Sequence, residues 1–428
     1  MKKANAEAVT VKEFGLLIRG GDCQSLSVSS IPHSAFDWLL TNGQSTSGKA
    51  RDLIRVKRHN RSIALQVVNF VGVLETPCGI RIEILPKISI ESDDAESARC
   101  VLLKMLSTVE SIKLEKFHQT QLKTLKQPLI EILIGQFLNE TTRVVKRGLR
   151  SEYQRIHRES SYLKGQLNVS KQIRQRPGRQ HFFHVSQDIY TPDRPENRLL
   201  HAALKQVMKW SRSTGNQRMA RELLLVFNEI AISNDYTSEF RLWSTDRSLS
   251  HYRPIKPWCE LILNHESPIS MVGNNNGLSF LFPMEVLFEK YVAKKLSKQL
   301  NSPLKLIQQA SSLSLTMHKE KKWFMLKPDL VIKNGQSIVN VLDTKWKLID
   351  ESLNTPKDKY QLSQSDFYQL YAYGEKYLNG VGELYLIYPK HERFTKPLEP
   401  FEFKPGLTLT VVPFDLDTGE IQSIVISP

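Results

Sequence analysis

Lys327-Pro328-Asp329-Leu330-Val331-Ile332, followed by Val339-Asn340-Val341-Leu342-Asp343-Thr344-Lys345, decides how this chain is read. Each acid adjoins an apolar run of strand character, and thirteen residues separate Asp329 from Asp343. On a strand, residues i and i+2 share a face, so Asp343 and Lys345 project together. Asp329, on the preceding strand, can reach the same spot. Two carboxylates can hold a hard divalent cation such as Mg²⁺ through oxygen ligands. A neighbouring lysine can orient or deprotonate an attacking water while the metal stabilises charge on a phosphoryl oxygen. The expected metal ligands are Asp329, Asp343 and the backbone carbonyl of Thr344, with Lys345 as the catalytic cation. That is minimal equipment for cutting a phosphodiester.

As bare text, Pro-Asp followed by an acid-x-Lys is weak. The chain has a second Pro-Asp at Pro192-Asp193 and a second acid-x-Lys at Glu320-Lys321-Lys322. Neither has its partner at a workable distance within two consecutive apolar strands. On spacing alone, a surface ion pair or strand-end solvation explains Asp343 and Lys345 equally well. The surrounding strands favour a site.

Parity adds a condition. Asn334-Gly335 is a strong hairpin signal, and a two-residue loop there pairs Lys333 with Gln336. Asp329 then falls opposite Asn340, on the other face from Asp343. A shared metal therefore requires an odd loop, such as Asn334 to Gln336 with Asp329 opposite Val341, or a β-bulge that shifts the register.

Outward from this pair the elements alternate. A helix is expected from Pro283 through Leu296, and strands at Leu304–Gln308, Trp323–Ile332 and Ile338–Trp346. A second helix is capped by Ser365, a strand follows at Glu383–Tyr388, and two late β segments close an α/β domain over residues 271–428. Glu285 and Glu289 stand i, i+4 on the first helix, and either could add an acid. Glu289 is favoured because it lies beside Phe288 and Val292. Gln369 and Tyr373 are i, i+4 on the second helix and could line the substrate groove, although aromatics at that spacing are more often core.

Residues 1–98 read as β-rich, with Ile63, Leu65, Val67 and then Ile80, Ile82, Ile84 alternating around the turn Thr76-Pro77-Cys78-Gly79. Residues 99–270 read as mainly helical, with helices from Pro128 to Gly148, Pro195 to Trp210 and Arg218 to Ile230. Gly273-Asn274-Asn275-Asn276-Gly277 is a linker candidate. The expected fold is therefore α+β and multidomain.

The formal charge of the 428-residue chain is +15, and residues 141–180 hold eleven Lys/Arg against two acids, Glu152 and Glu159. Such a cluster suits a polyphosphate backbone, each neutralised phosphate releasing counterions, or an acidic partner protein. Arg147, Arg150, Arg174 and Arg176 are its candidate contacts, and a solvated helix face plus a loop is the bland alternative. Hydrophobic residues make up 40% of the chain, enough for real cores. No apolar run approaches bilayer length, so no membrane association is expected. The N-terminus lacks the h-region of a secretory signal, and the four dispersed cysteines suit a reducing cytoplasm. Gly43-Gln44-Ser45-Thr46-Ser47-Gly48-Lys49-Ala50 nearly spells a phosphate-binding loop. Ala50 lacks the hydroxyl that ligates magnesium, and the flank Ala35–Leu40 looks helical, so no nucleotide site is expected.

Several motifs in order resemble the McrC-type nuclease subunits of McrBC restriction systems. They are Gly79-Ile80-Arg81-Ile82-Glu83-Ile84-Leu85-Pro86-Lys87-Ile88, then Arg147-Gly148-Leu149-Arg150 with Tyr153, then Asp193-Arg194-Pro195-Glu196-Asn197-Arg198. Phe280-Leu281-Phe282-Pro283-Met284 with Leu287-Phe288-Glu289 and the Pro-Asp and Asp-x-Lys pair complete the set. The resemblance implies a C-terminal restriction-endonuclease-like domain, Mg²⁺ dependence and action on modified-cytosine DNA. It also implies assembly with an AAA+ GTPase ring whose subunits recognise the methylated base. Partner contact through the N-terminal domain and self-association through the nuclease domain are further expectations. A DNA-gripping adaptor that stimulates the GTPase without cutting, and a structure-specific or RNA nuclease, are the alternatives. The intact Asp329, Asp343 and Lys345 favour a nuclease over the adaptor.

Overall fold

Ile80, Ile82 and Ile84 do mark a strand, but both of its faces are buried. In this computed structural model, which describes residues 8–43, 52–89, 94–109, 126–179, 181–233, 235–244, 246–263 and 279–421, every residue of Arg81–Leu85 is buried. The phosphate-loop decoy beyond Gly43 and the linker candidate Gly273–Gly277 lie outside the described residues. The chain divides into two compact units, Met1–Leu129 with Ser267–Pro428, and Ile130–Glu266.

The chain opens with β1 (Val9–Lys12), β2 (Leu16–Arg19), β3 (Val28–Ile31) and α1 (His33–Asn42). Next come β4 (Ile54–His59), β5 (Ser62–Val67), β6 (Phe70–Glu75), β7 (Arg81–Leu85) and α2 (Ala95–Val109). One sheet runs β3-β2-β5-β4. In the other, β7 lies between β1 and β6. Glu83 explains the second buried face of β7. Its carboxylate takes Arg99 Nε at 2.8 Å and Nη2 at 2.7 Å from α2, Thr10 Oγ1 at 2.9 Å from β1, and Leu129 N at 2.9 Å.

The second unit contains most of α3 (Leu129–Lys146), then β8 (Glu152–Ser160), β9 (Gln166–Leu167), α4 (Val169–Ile173) and β10 (Phe183–Thr191). α5 (Pro195–Trp210), α6 (Thr214–Val226), α7 (Tyr236–Leu242) and α8 (Lys256–Leu263) follow. α3 and α5 stand where periodicity predicts, and α6 lies four residues earlier than Arg218–Ile230. α7, α8 and the sheet β8-β10-β9 are additions to the sequence reading, which has a loop-like region after Ile230. The two middle motifs meet here. Asn197 Nδ2 donates to the carbonyls of Arg150 (3.0 Å) and Pro192 (2.7 Å), and Tyr252 Oη donates to Asn197 Oδ1 at 2.6 Å. Arg194 pairs with Glu152 and Glu196, and Arg198 with Asp193 and Glu239, so these two arginines serve the fold.

The chain then returns to the first unit. β11 (Ser279–Pro283) joins β6 antiparallel, with Leu281 opposite Gly72. Gly72 has φ +127°, and a Cβ there would lie 1.8 Å from the Phe280 carbonyl oxygen, so only glycine permits this pairing. α9 (Met284–Gln299) leads to β12 (Leu304–Gln308), β13 (Ser314–His318), β14 (Lys321–Met325), β15 (Leu330–Asn334) and β16 (Ser337–Thr344). α10 (Gln364–Tyr377), β17 (Gly382–Pro389), β18 (Phe401–Lys404) and β19 (Leu407–Phe414) complete the fold. The expected continuous strand Trp323–Ile332 is split in two. Pro328 has no N–H for a ladder, so the chain leaves one hairpin and enters another sheet. The cap of α10 is Ser363 rather than Ser365, and its side chain makes no capping hydrogen bond.

The six-stranded sheet runs β12-β15-β16-β17-β19-β18, with β16 antiparallel to β15 and parallel to β17. Leu370, Tyr373 and Tyr377 of α10 pack with Val331, Val341, Leu384 and Leu409. Phe288 and Tyr291 of α9 meet Phe414 of β19 edge to face. Asp343 therefore lies on a strand within a buried core, and Asp329 immediately before β15.

Candidate active site

Asn334 pairs with Ser337 and Lys333 with Ile338, so the turn between the acidic strands is Gly335-Gln336. It falls one residue later than the Asn334-Gly335 signal suggests, and the three-residue loop does not form. The register then shifts. Ile332 faces Asn340, Val331 faces Val341 and Leu330 faces Leu342, leaving Val339 as the extra residue of a β-bulge. One step further along this register stand Asp329 and Asp343, on the same face. Of the two solutions that parity allowed, the chain uses the bulge.

Thr344 donates to Asp329 Oδ2 twice, from its backbone N and its Oγ1, each at 2.8 Å. Asp343 is 1% exposed, and Lys345 Nζ lies 2.6 Å from its Oδ2. That ion pair is the partner of Asp343 among the described residues, and no backbone or neutral donor reaches either of its oxygens. Burial, then the charge of Asp329, raise the Asp343 carboxyl to about 7 despite the lysine. Burial pulls Lys345 down, but Asp343, Asp366 and Asp329 together outweigh it and hold the ammonium above its ordinary value.

Lys345 supplies one positive charge to a buried carboxylate that no other donor reaches among the described residues, and a divalent cation can share it. Both hydrogen bonds to Asp329 fall on Oδ2, which leaves its other oxygen for coordination. Among the described residues no three Asp, Glu, His or Cys side chains form a ready-made metal cage. Two carboxylates on one face are the hard oxygen donors that a cation such as Mg²⁺ takes.

Glu289 stands one residue removed from this centre. It accepts from Gln309 Nε2 at 3.0 Å, and Gln309 N donates to the Asp329 carbonyl at 2.8 Å. Gln369 is exposed and donates to Tyr373 Oη at 2.5 Å, and Tyr373 donates to the Lys327 carbonyl at 3.0 Å. Burial raises the Tyr373 hydroxyl, and Asp343 and Asp329 raise it further. Asp366, in the first turn of α10, is the acid that sequence reading missed. Its charge reaches Asp343, Lys345 and the buried hydroxyl of Tyr388. The signal was an acid in the first turn of the crossover helix, which capping preference alone would explain.

In the second unit, Arg147, Arg150, Arg174 and Arg176 are all exposed, and their side chains have no partner among the described residues. Other cations of the segment are engaged: Arg143 with Glu140, Arg179 with Glu159, Arg155 with Gln166. Of the decoys, Asp193 is held by Arg198, and Glu320 sits in the exposed β13–β14 turn.

The McrBC 5-methylcytosine restriction system component family matches residues 65–389. No curated protein matches the chain. Among solved structures, it is similar to a chain of the tetradecameric assembly of Thermococcus gammatolerans McrB AAA+ hexamers with bound McrC. The identity is 20%, covering 96% of this chain and 95% of that one, with a TM-score of 0.70. A chain of the Thermococcus gammatolerans McrBC complex matches at 21% identity over 69% of this chain and 89% of its own, with a TM-score of 0.51. The fold is thus mixed α and β in the McrC manner, as the ordered motifs anticipated. With its family match spanning both units, the chain belongs to the McrBC 5-methylcytosine restriction system components.

Proposed function

We propose that this chain is the Mg²⁺-dependent DNA endonuclease subunit of a restriction complex, working with an AAA+ GTPase ring on DNA that carries modified cytosine. The observation that carries the reading is the bulge at Val339, which brings Asp329 and Asp343 to one face beside Lys345. The ring partner is carried over from the Thermococcus assembly, in which McrB AAA+ hexamers bind McrC.

Asp329, Asp343 and the Thr344 carbonyl would hold the metal. When bound, Mg²⁺ supplies Lewis-acid stabilisation of charge on a phosphoryl oxygen. Thr344 fixes the Asp329 carboxylate through two hydrogen bonds, so coordination needs little reorganisation. Lys345, kept protonated by three surrounding acids, acts as a fixed positive charge that orients water and phosphate. As a cation it has no lone pair to take a proton, so the orienting role is favoured over the base. Gln369, exposed beside Tyr373, would contact substrate, and Glu289 would act through Gln309 on the Asp329 strand. The four free arginines would grip DNA or the ring.

The test is cleavage of a 5-methylcytosine duplex by the full chain purified with its ring GTPase. Mg²⁺-dependent cutting is expected from the parent, and none from Asp343→Asn or Asp329→Ala, with GTPase stimulation retained. Cutting retained by either variant overturns the assignment. Stimulation of GTP hydrolysis by a parent that never cuts would establish the adaptor instead.

A further inference from the structure

β13 and β14 form a two-stranded sheet joined to no other strand among the described residues. Nine of their ten residues are exposed, including Trp323 at 48%, Phe324 at 69% and Met317 at 58%. Leu315 and Met325 are exposed too. An isolated hairpin is marginal in water, and large side chains left wet along both strands do nothing to stabilise it. Its base, however, is fastened. Tyr377 Oη donates to the carbonyls of Ala310 (2.9 Å) and Leu326 (3.0 Å), Tyr373 Oη to that of Lys327 (3.0 Å), and Leu326 N to that of Leu313 (3.0 Å). Tyr373 and Tyr377 belong to α10, so the hairpin is anchored beside Asp329 while its blade stays free.

The charge on the blade is one-sided. Lys319, Lys321, Lys322 and Lys327 face a single acid, Glu320, between Ser314 and Lys327. Cations interleaved with aromatic and aliphatic side chains match a nucleic acid, whose phosphates take the lysines and whose bases take the apolar wedges. A two-stranded ribbon also has the width of a duplex groove.

We infer that the β13–β14 hairpin is a DNA-engaging blade. It enters the groove of a duplex lying across Asp329 and Asp343, with Trp323 and Phe324 against the bases and Lys319, Lys321 and Lys322 against the phosphates. The inference rests on the nuclease reading above for its substrate. It adds a substrate-positioning surface separate from the arginines of the other unit.

The experiment uses the full chain carrying Asp343→Asn, so that binding is read without turnover, and a fluorescein-labelled duplex containing 5-methylcytosine. Anisotropy titrations at several salt concentrations compare this parent with Trp323→Ala/Phe324→Ala and with Lys321→Glu/Lys322→Glu. The aromatic pair is expected to weaken binding about tenfold with the salt slope unchanged, as lost base contacts do. The lysine pair is expected to lower the slope of log K against log salt by about 0.9 for each lost phosphate contact. Both pairs are exposed and Lys322 gives up only its hydrogen bond to the Ser312 carbonyl, so unfolding midpoints should move little. Unchanged affinity in both variants overturns the inference, as does dissociation of a dimer with duplex affinity intact. The two readings fail separately. If the Asp343-intact chain cuts DNA but hairpin variants bind normally, only the blade is wrong. If it never cuts while the hairpin variants lose affinity, the nuclease reading falls and the blade stands.

Discussion

Two buried carboxylates in the same unit have opposite surroundings. Glu83 is 2% exposed and takes four hydrogen bonds, from Arg99 twice, Thr10 and the Leu129 amide. Asp343 is as deeply buried and has a single partner among the described residues, the Lys345 ammonium 2.6 Å from its Oδ2. A saturated carboxylate joins elements together, here a strand, two helices and the strand beside it. One held by a single lysine keeps lone pairs uncommitted, as ligand-binding carboxylates do. Glu13 stands between them. It is buried, accepts a single hydrogen bond from Trp346 Nε1 at 2.6 Å, and burial pushes its carboxyl up to about 8.

The sharpest way to break this contrast is to make Asp343 neutral. Asp343→Asn should cost about a thousandfold or more in cleavage while changing stability little, because the relief of a buried charge offsets the loss of the Lys345 ion pair. Cleavage assays with parallel urea titrations read both; a large loss of stability would mean that Asp343 is structural. Glu83→Ala should do the reverse. It strips Arg99 of its buried carboxylate partner, and should destabilise the first unit by roughly 3–5 kcal/mol. A urea midpoint close to that of the parent would show the hub to be ornamental.

Glu13 gives the pH arm. Its folded pKa lies above the ordinary 4.5, so the folded chain binds the extra proton and stability is lost as pH rises from 4.5 toward 8. The slope contributed should reach about 1.4 kcal/mol per pH unit inside that window, and Glu13→Gln should remove it. Equal pH profiles for parent and variant would show that Glu13 is ionised in place. The smallest stability effect belongs to the free arginines. Charge reversal at Arg147, Arg150, Arg174 and Arg176 should leave unfolding within about 0.5 kcal/mol. It should still flatten the salt dependence of DNA binding by about 0.9 per lost contact. If neither DNA affinity nor GTPase stimulation changes, the cluster is merely solvated.

Part of the fold and of the candidate site was legible in the residues. Pro195–Trp210 and Leu304–Gln308 form with the limits their patterns predict, and the two acids were found because each adjoins an apolar strand. What escaped depended on partners distant in sequence. The bulge at Val339 leaves no local mark, and only the parity of Asp329 and Asp343 required it or an odd loop. β8 hid because its residues are exposed on both faces, so Tyr153–Glu159 carries no alternation and its charges look like a solvated helix. Asp366 escaped because a helix, rather than a strand neighbour, carries it to Asp343. Nothing in the motif Gly79–Ile88 distinguished Glu83 from a surface glutamate; its donors come from α2, β1 and the start of α3.

The pairing of β11 with β6 at Gly72 has a consequence for biosynthesis. β6 ends at Glu75, yet the strand that covers its edge begins at Ser279. At the roughly 5–20 residues per second of a ribosome, that edge waits about 10–40 s for its partner. The whole of the second unit emerges from the ribosome during this interval, before the first unit can close. An exposed edge strand held open so long is a template for mispairing between nascent chains. The yield of active protein should therefore depend on how fast, and in what company, this chain is translated.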